Sequence, residues 1–179
     1  GIVHSELPRQ EDGLMWGFQL WVNLPARDKM TSPRYQDIPA DEVPVVEPDA
    51  RSRVKVLAGC FDGVEGPVRG VTTEPLYLDV GLSPGGEARI ALPAAHAAFV
   101  YCFDGSVLVS AGTDEPLGRG ELAILSGGDR LVLRADGVAR CLVVAGRPLG
   151  EPVARYGPFV MNTADELRQA FVDFQAGRF

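Results

Sequence analysis

One pattern repeats between residues 50 and 146, and it constrains the fold more than anything else in the sequence. A short apolar or alternating run is followed by a turn signal, and then by another run. The runs cover 54–57, 76–80, 87–92, 97–103, 106–110, 121–125, 130–133 and 139–145. The breaks carry Pro84-Gly85-Gly86, Asp104-Gly105, Gly127-Gly128-Asp129 and Asp136-Gly137. Many short strands at even spacing imply an all-β sandwich or barrel. The 21 glycines and 14 prolines are scattered as punctuation, which fits short strands better than long helices. Asp104-Gly105, between two apolar runs, predicts a two-residue hairpin.

The flanks read differently. Residues 17–24 alternate Phe18, Leu20, Val22 and Leu24 with Gln19, Trp21 and Asn23, which predicts a strand ended by Pro25. Glu11-Asp12-Gly13 before it predicts a turn. Residues 29–48 are rich in proline and acidic side chains, and they predict a stiff, extended strap. Near the end, Thr163 and Glu166 have capping-box spacing. Leu167, Ala170, Phe171 and Phe174 then follow on one helical face, and Gly177 suits a left-handed cap. One amphipathic helix over about 164–176 is expected, its stripe serving as a packing face.

The net charge of −7 disfavours direct contact with a nucleic-acid backbone, and lysine and arginine show no cluster in sequence. No apolar run is long enough to span a membrane, and the start lacks the pattern of a signal peptide. The absence of an initiator Met suggests a processed or partial chain. Cys60, Cys102 and Cys141 are odd in number and form no CxxC pair. They read as buried thiols in strands of a protein from a reducing cytoplasm. No P-loop, dinucleotide fingerprint or Gly-x-Ser-x-Gly elbow is present.

His4-Ser5-Glu6 is the run most relevant to chemistry. Residues two apart on an extended chain face the same way, so an imidazole nitrogen and a carboxylate oxygen can meet one metal ion. Those donors suit Fe(II), Mn or Zn. By itself the H-x-E pattern is common at surfaces that bind nothing. His96, after Pro93-Ala94-Ala95, has no carboxylate at ligand spacing and reads as a hydrogen-bonded histidine at a strand start. Gln19, Trp21 and Asn23 share one face and are candidates for a substrate pocket, although Trp21 reads first as packing. Met15 and Trp16 suit a pocket rim or contact with another chain.

The segment GIVHSELPRQEDGLMWGFQLWVNLPARDKMTSPRYQDIP resembles the part of the pirin family that closes the first of its two cupin barrels. The resemblance runs on through LPAAHAAFVYCFDGSV and GRGELAILSGGDRLVLRADG, and ends in GPFVMNTADELRQAFVDFQAGRF. It covers essentially the whole chain and matches the C-terminal two-thirds of a pirin. It implies a cupin double-stranded β-helix, or jelly roll, with remnant strands of a preceding cupin and one terminal helix. The implied organisation is the end of an N-terminal metal-binding cupin over 1–28, an interdomain strap over 29–49, a C-terminal cupin without metal over 50–150, and an extension over 151–179.

The resemblance also implies a function. The family site holds Fe(II) with three His and one Glu, and His4 and Glu6 match two of these ligands. The other two His belong to an H-x-H motif with no counterpart here, since His4 and His96 are the only histidines. In complete form the implied activity is that of a quercetin 2,3-dioxygenase acting on a flavonol-like substrate, with Glu6 as a base, and this chain is expected to be impaired or metal-free. The alternative is a non-catalytic, iron- and redox-dependent regulator that binds a transcription factor or metabolic enzyme. Pirins are expected to be monomers, but exposed apolar area around Phe18, Trp21, Phe171 and Phe174 would favour self-association of this chain.

Overall fold

The protein is described from a computed structural model, which covers residues 1–7, 12–110 and 114–178. Pro8 and Glu11, both part of motifs read in the sequence, lie outside the described residues, as does Phe179. The chain divides into two compact units. One comprises residues 37–148, and the other comprises 1–36 with 149–179. No helix among the described residues is long and apolar enough to cross a membrane.

The first unit is all-β, with strands β1 (Val45–Asp49), β2 (Ser52–Ala58), β3 (Cys60–Phe61), β4 (Val64–Glu65), β5 (Leu76–Leu82), β6 (Gly86–Ala91), β7 (Ala97–Asp104), β8 (Ser106–Ser110), β9 (Asp114–Gly118), β10 (Leu122–Leu125), β11 (Arg130–Ala135) and β12 (Ala139–Gly146). A six-stranded sheet in the order β1-β2-β5-β12-β7-β10 faces a four-stranded sheet in the order β6-β11-β8-β9. The ladders that build both sheets are antiparallel. This is the jelly-roll arrangement of a cupin.

Alternation explains why the two sheets stack. In β2 the side chains of Ser52, Val54, Val56 and Ala58 are buried while those between them are not, and in β5 Leu76, Leu78, Val80 and Leu82 are buried in the same way. Ile90, Leu131 and Leu133 answer from the smaller sheet, and all three are essentially inaccessible. The interior of this barrel is thus filled with aliphatic side chains. A polar link joins the two sheets where the Ser52 hydroxyl donates to the Glu87 carbonyl at 2.9 Å.

The structure revises several local readings and adds one strand. Asp104-Gly105 is not a hairpin, because β7 and β8 belong to different sheets. The pair is a corner where the chain passes from one sheet to the other. Gly105 has φ +65°, and a Cβ there would lie 2.1 Å from the Val138 carbonyl oxygen, so the corner requires glycine. Residues 45–49, part of the proline-rich strap, form β1. Residues 114–118, with Pro116, form β9. Each is an edge strand, where proline's missing N–H costs no ladder bond. Cys60 is exposed, unlike Cys102 and Cys141, which face one another across β7 and β12 as free thiols.

The second unit is smaller and mixed. It holds a hairpin of β13 (Ala154–Tyr156) and β14 (Phe159–Met161), followed by α1 (Ala164–Gln175). Thr163 caps α1: its hydroxyl accepts from the Glu166 N–H at 3.2 Å, and the Glu166 carboxylate accepts from the Thr163 N–H at 2.8 Å. The C-terminus closes with Gly177 at φ +66°. Its N–H reaches the Phe174 carbonyl, while that of Arg178 reaches the Asp173 carbonyl, which is a Schellman motif. The helix stripe packs on the hairpin through Phe159, whose ring lies 4.8 Å from Phe171 and 5.9 Å from Phe174.

The other part of this unit, residues 1–36, contains no strand among its described residues. Residues 17–24 join no ladder, and Phe18, Trp21 and Val22 are all substantially exposed. The expected strand fails for lack of a partner: an alternating pattern becomes a strand only where a neighbour satisfies its N–H and C=O groups.

Candidate functional site

His4 and Glu6 come together as their spacing suggests. The His4 Nδ1 lies 3.8 Å from Glu6 Oε1, with both side chains more than half exposed. The other carboxylate oxygen of Glu6 accepts a bond of 3.2 Å from the Gln19 amide. Gln19 therefore orients Glu6 and leaves one oxygen on the histidine side. Two donors sharing an ion, each about 2.1 Å from it, stand between ~3.0 and ~4.2 Å apart. The observed separation and the N/O donor set fit two positions of a metal centre. Among the described residues no three His, Cys, Asp or Glu side chains gather to complete one.

Asn23 and Trp21 belong to a neighbouring feature. Asn23 Oδ1 accepts from the Lys29 ammonium at 2.6 Å and from the Leu24 N–H at 3.0 Å, so its carbonyl oxygen is committed to structure. Lys29 also donates to the Val160 carbonyl at 3.1 Å. Glu151 ties the same region together, accepting from the Ala26 N–H and from the Asn162 side-chain amide. Partial burial pulls the Lys29 ammonium below its ordinary value, against the opposing pull of Glu151 and Glu166. This polar knot fastens residues 23–29 to the β13–β14 hairpin and the start of α1.

An open groove of about 790 Å³ lies beside the knot. Trp21, Met30, Phe159 and Met161 supply apolar surface, Lys29 and Arg155 supply charge, and Gly1 and Ile2 form part of the wall. The groove thus begins two residues from His4. Trp21 is 67% exposed, so it is pocket wall rather than core.

His96 lies in the other unit and has company that sequence spacing did not reveal. Glu74, 22 positions upstream, brings a carboxylate oxygen to 4.0 Å from His96 Nε2, and Arg147 holds the other oxygen at 2.5 Å. The His96 side chain is nearly buried, and among the described residues Nδ1 has no hydrogen-bond partner, so the hydrogen-bonded histidine expected from the sequence is instead an imidazole facing a carboxylate at longer range. Glu74 sits at φ +48°, a backbone conformation seldom taken by a residue with a side chain. The cluster joins the loops before β5 and β7 to the end of β12. It has one imidazole and one carboxylate, too few donors for a metal centre.

Comparison with known proteins places the chain. A family profile described as the pirin C-terminal cupin domain matches residues 77–179. A pirin-like protein from Caulobacter vibrioides is 45% identical over 180 residues, covering 100% of this chain and 64% of that protein. Pirin-1 from Arabidopsis thaliana is 35% identical, covering 98% of this chain and 61% of its own length. A crystal structure of a quercetin 2,3-dioxygenase from Acinetobacter baumannii superposes with a TM-score of 0.82 at 36% identity, over 89% of this chain and 55% of that one. This chain spans less than two-thirds of the length of these relatives. From the aliphatic-filled jelly roll to the capped terminal helix, it belongs to the pirin family of cupin proteins.

Proposed function

We propose that this chain carries part of the active site of a pirin-type quercetin 2,3-dioxygenase, with His4 and Glu6 as two protein ligands of Fe(II). The observation that carries this reading is the His4–Glu6 pair at 3.8 Å with Gln19 holding the outer carboxylate oxygen. The remaining donors are two imidazoles from sequence outside this chain, and without them these residues hold iron weakly. When bound, the metal supplies the redox and Lewis-acid chemistry needed to open a flavonol ring with O2.

The chain's own residues have defined parts in this reading. Gln19 fixes the Glu6 carboxylate, so that the oxygen beside His4 stays available. That oxygen takes the proton of a substrate hydroxyl, which makes Glu6 a general base as well as a ligand. The groove behind Trp21 gives a flat aromatic substrate an apolar wall to lie against, next to the metal pair. Asn23 and Lys29 hold that wall in place.

The test is oxygen uptake with quercetin and Fe(II). The chain alone should show little turnover. A longer version restoring the full length of the relatives should be active, and its Glu6→Gln and His4→Ala variants should each lose activity by at least ~100-fold. Full activity in both variants would refute the assignment.

A second reading is favoured by the exposure of Trp21, Met30 and Phe174. In it the same surface receives a protein partner, a transcription factor or metabolic enzyme, and the iron oxidation state sets the affinity. It predicts partner capture that changes between Fe(II) and Fe(III) and is lost with Trp21→Ala.

A further inference from the structure

The outer face of the six-stranded sheet gathers cations that the sequence scatters. Alternation turns Arg53 and Lys55 on β2, Asp79 and Gly81 on β5, and Arg140 on β12 away from the core. The register then sets Arg53 opposite Gly81, and Gly81 opposite Arg140. Two guanidinium-bearing residues thus flank a position with no side chain, two strand spacings or about 9.5 Å apart along the sheet. A Cβ on Gly81 would find nothing nearer than 3.7 Å, so the floor is open. Lys55 stands opposite Asp79 in the next row, and Arg51 comes from the turn between β1 and β2. These residues bound a groove of about 510 Å³.

Its charges are unequally committed. Arg140 bonds Asp79 at 2.7 Å and lies over the Phe103 ring, and Arg53 lies 3.8 Å from Glu47. Asp49 is engaged in the turn, where it accepts the Arg51 N–H at 2.7 Å. The side chains of Arg51 and Lys55 have no hydrogen bond or ion pair among the described residues. The groove therefore holds four cations against three carboxylates in a chain whose net charge is −7. The two unsatisfied groups are both cationic.

The geometry points to a binding site for a phosphate-type oxyanion, as inorganic phosphate or a phosphomonoester, seated over Gly81 between Arg53 and Arg140 and reached by Arg51 and Lys55. A guanidinium presents paired donors that match tetrahedral oxyanions, and an ammonium adds a mobile point charge. The missing side chain at Gly81 lets the anion approach the backbone. Two uncommitted cations match a doubly charged anion better than chloride. The site lies in the cupin barrel of residues 37–148 and does not depend on the metal pair.

The test is amide NMR of the whole chain titrated with inorganic phosphate, beside sodium chloride at matched ionic strength. Saturable shifts confined to Arg51, Lys55, Gly81 and their neighbours are expected with phosphate alone. The double variant Arg51→Gln/Lys55→Gln should weaken binding by roughly tenfold or more. It should leave the melting temperature unchanged, since neither side chain has a partner to lose. A short phosphoserine peptide distinguishes the sources. Tighter binding of the peptide assigns the site to a phosphorylated protein, and equal binding assigns it to the free anion. Shifts that never saturate, that chloride reproduces, or that survive the double variant would overturn the proposal.

Discussion

Cys102 and Cys141 face each other across two central strands, fully buried, while Cys60 is open to solvent. Burial raises both buried thiols, Cys141 more strongly and with an added contribution from Cys102. A thiol reagent at neutral pH should therefore label one cysteine in the native protein and all three in denaturant. Native labelling of two or more would show that the barrel opens. Gly105 is a residue whose value lies in what it lacks. Gly105→Ala forces a side chain into the Val138 carbonyl at positive φ and should cost ~2 kcal/mol or more by urea denaturation. Its meaning was not legible in the sequence. Asp-Gly signals a tight turn, but only the pairing of β7 and β8 with different partners shows a corner rather than a hairpin. His4 and Glu6 were legible as a pair from spacing, and as ligands only through resemblance. Glu74 beside His96 was not legible, because nothing local links positions 22 apart.

Strands and helix differ in how plainly they could be read. The buried strands announce themselves through alternation, since one face must meet the other sheet. The edge strands β1 and β9 did not: β1, with Pro48, lies at the end of the proline-rich strap and Pro116 interrupts β9, and a free N–H side tolerates both prolines. Residues 17–24 show the converse, a strand-like pattern with no partner. The helix was legible to within a residue, because its cap chemistry is local. Thr163→Ala should destabilise it by about 1 kcal/mol. The Glu166 carboxylate is held below its ordinary value, chiefly by the N–H groups of Asn162 and Thr163. A depressed carboxyl contributes stability above the unfolded value near 4.5, and that contribution is lost as pH falls through the lower folded value. Protection factors at the helix start, measured against the intrinsic exchange rate at each pH, should therefore fall below about pH 4 and hold steady between pH 6 and 8. Protection unchanged by acid would show that the carboxylate plays no part in the cap.

At the scale of the molecule the two units differ in self-sufficiency. The barrel of residues 37–148 buries a continuous core, and Leu78→Ala at its centre should cost ~2–5 kcal/mol. The other unit leaves Phe18, Trp21, Met30 and Phe174 at least two-fifths exposed. Apolar exposure of that kind favours association. Sedimentation should thus show reversible self-association that Trp21→Ser/Phe174→Ser weakens, whereas a monomer at all concentrations would show the surface to be inert. Iron content shows directly whether His4 and Glu6 are metal ligands. The chain alone, the full-length version and its His4→Ala and Glu6→Gln variants would each be purified without chelator and assayed by mass spectrometry. About one iron per molecule is expected in the full-length version only, with both variants depleted. Stoichiometric iron in the chain alone, or in both variants of the full-length version, would contradict this assignment.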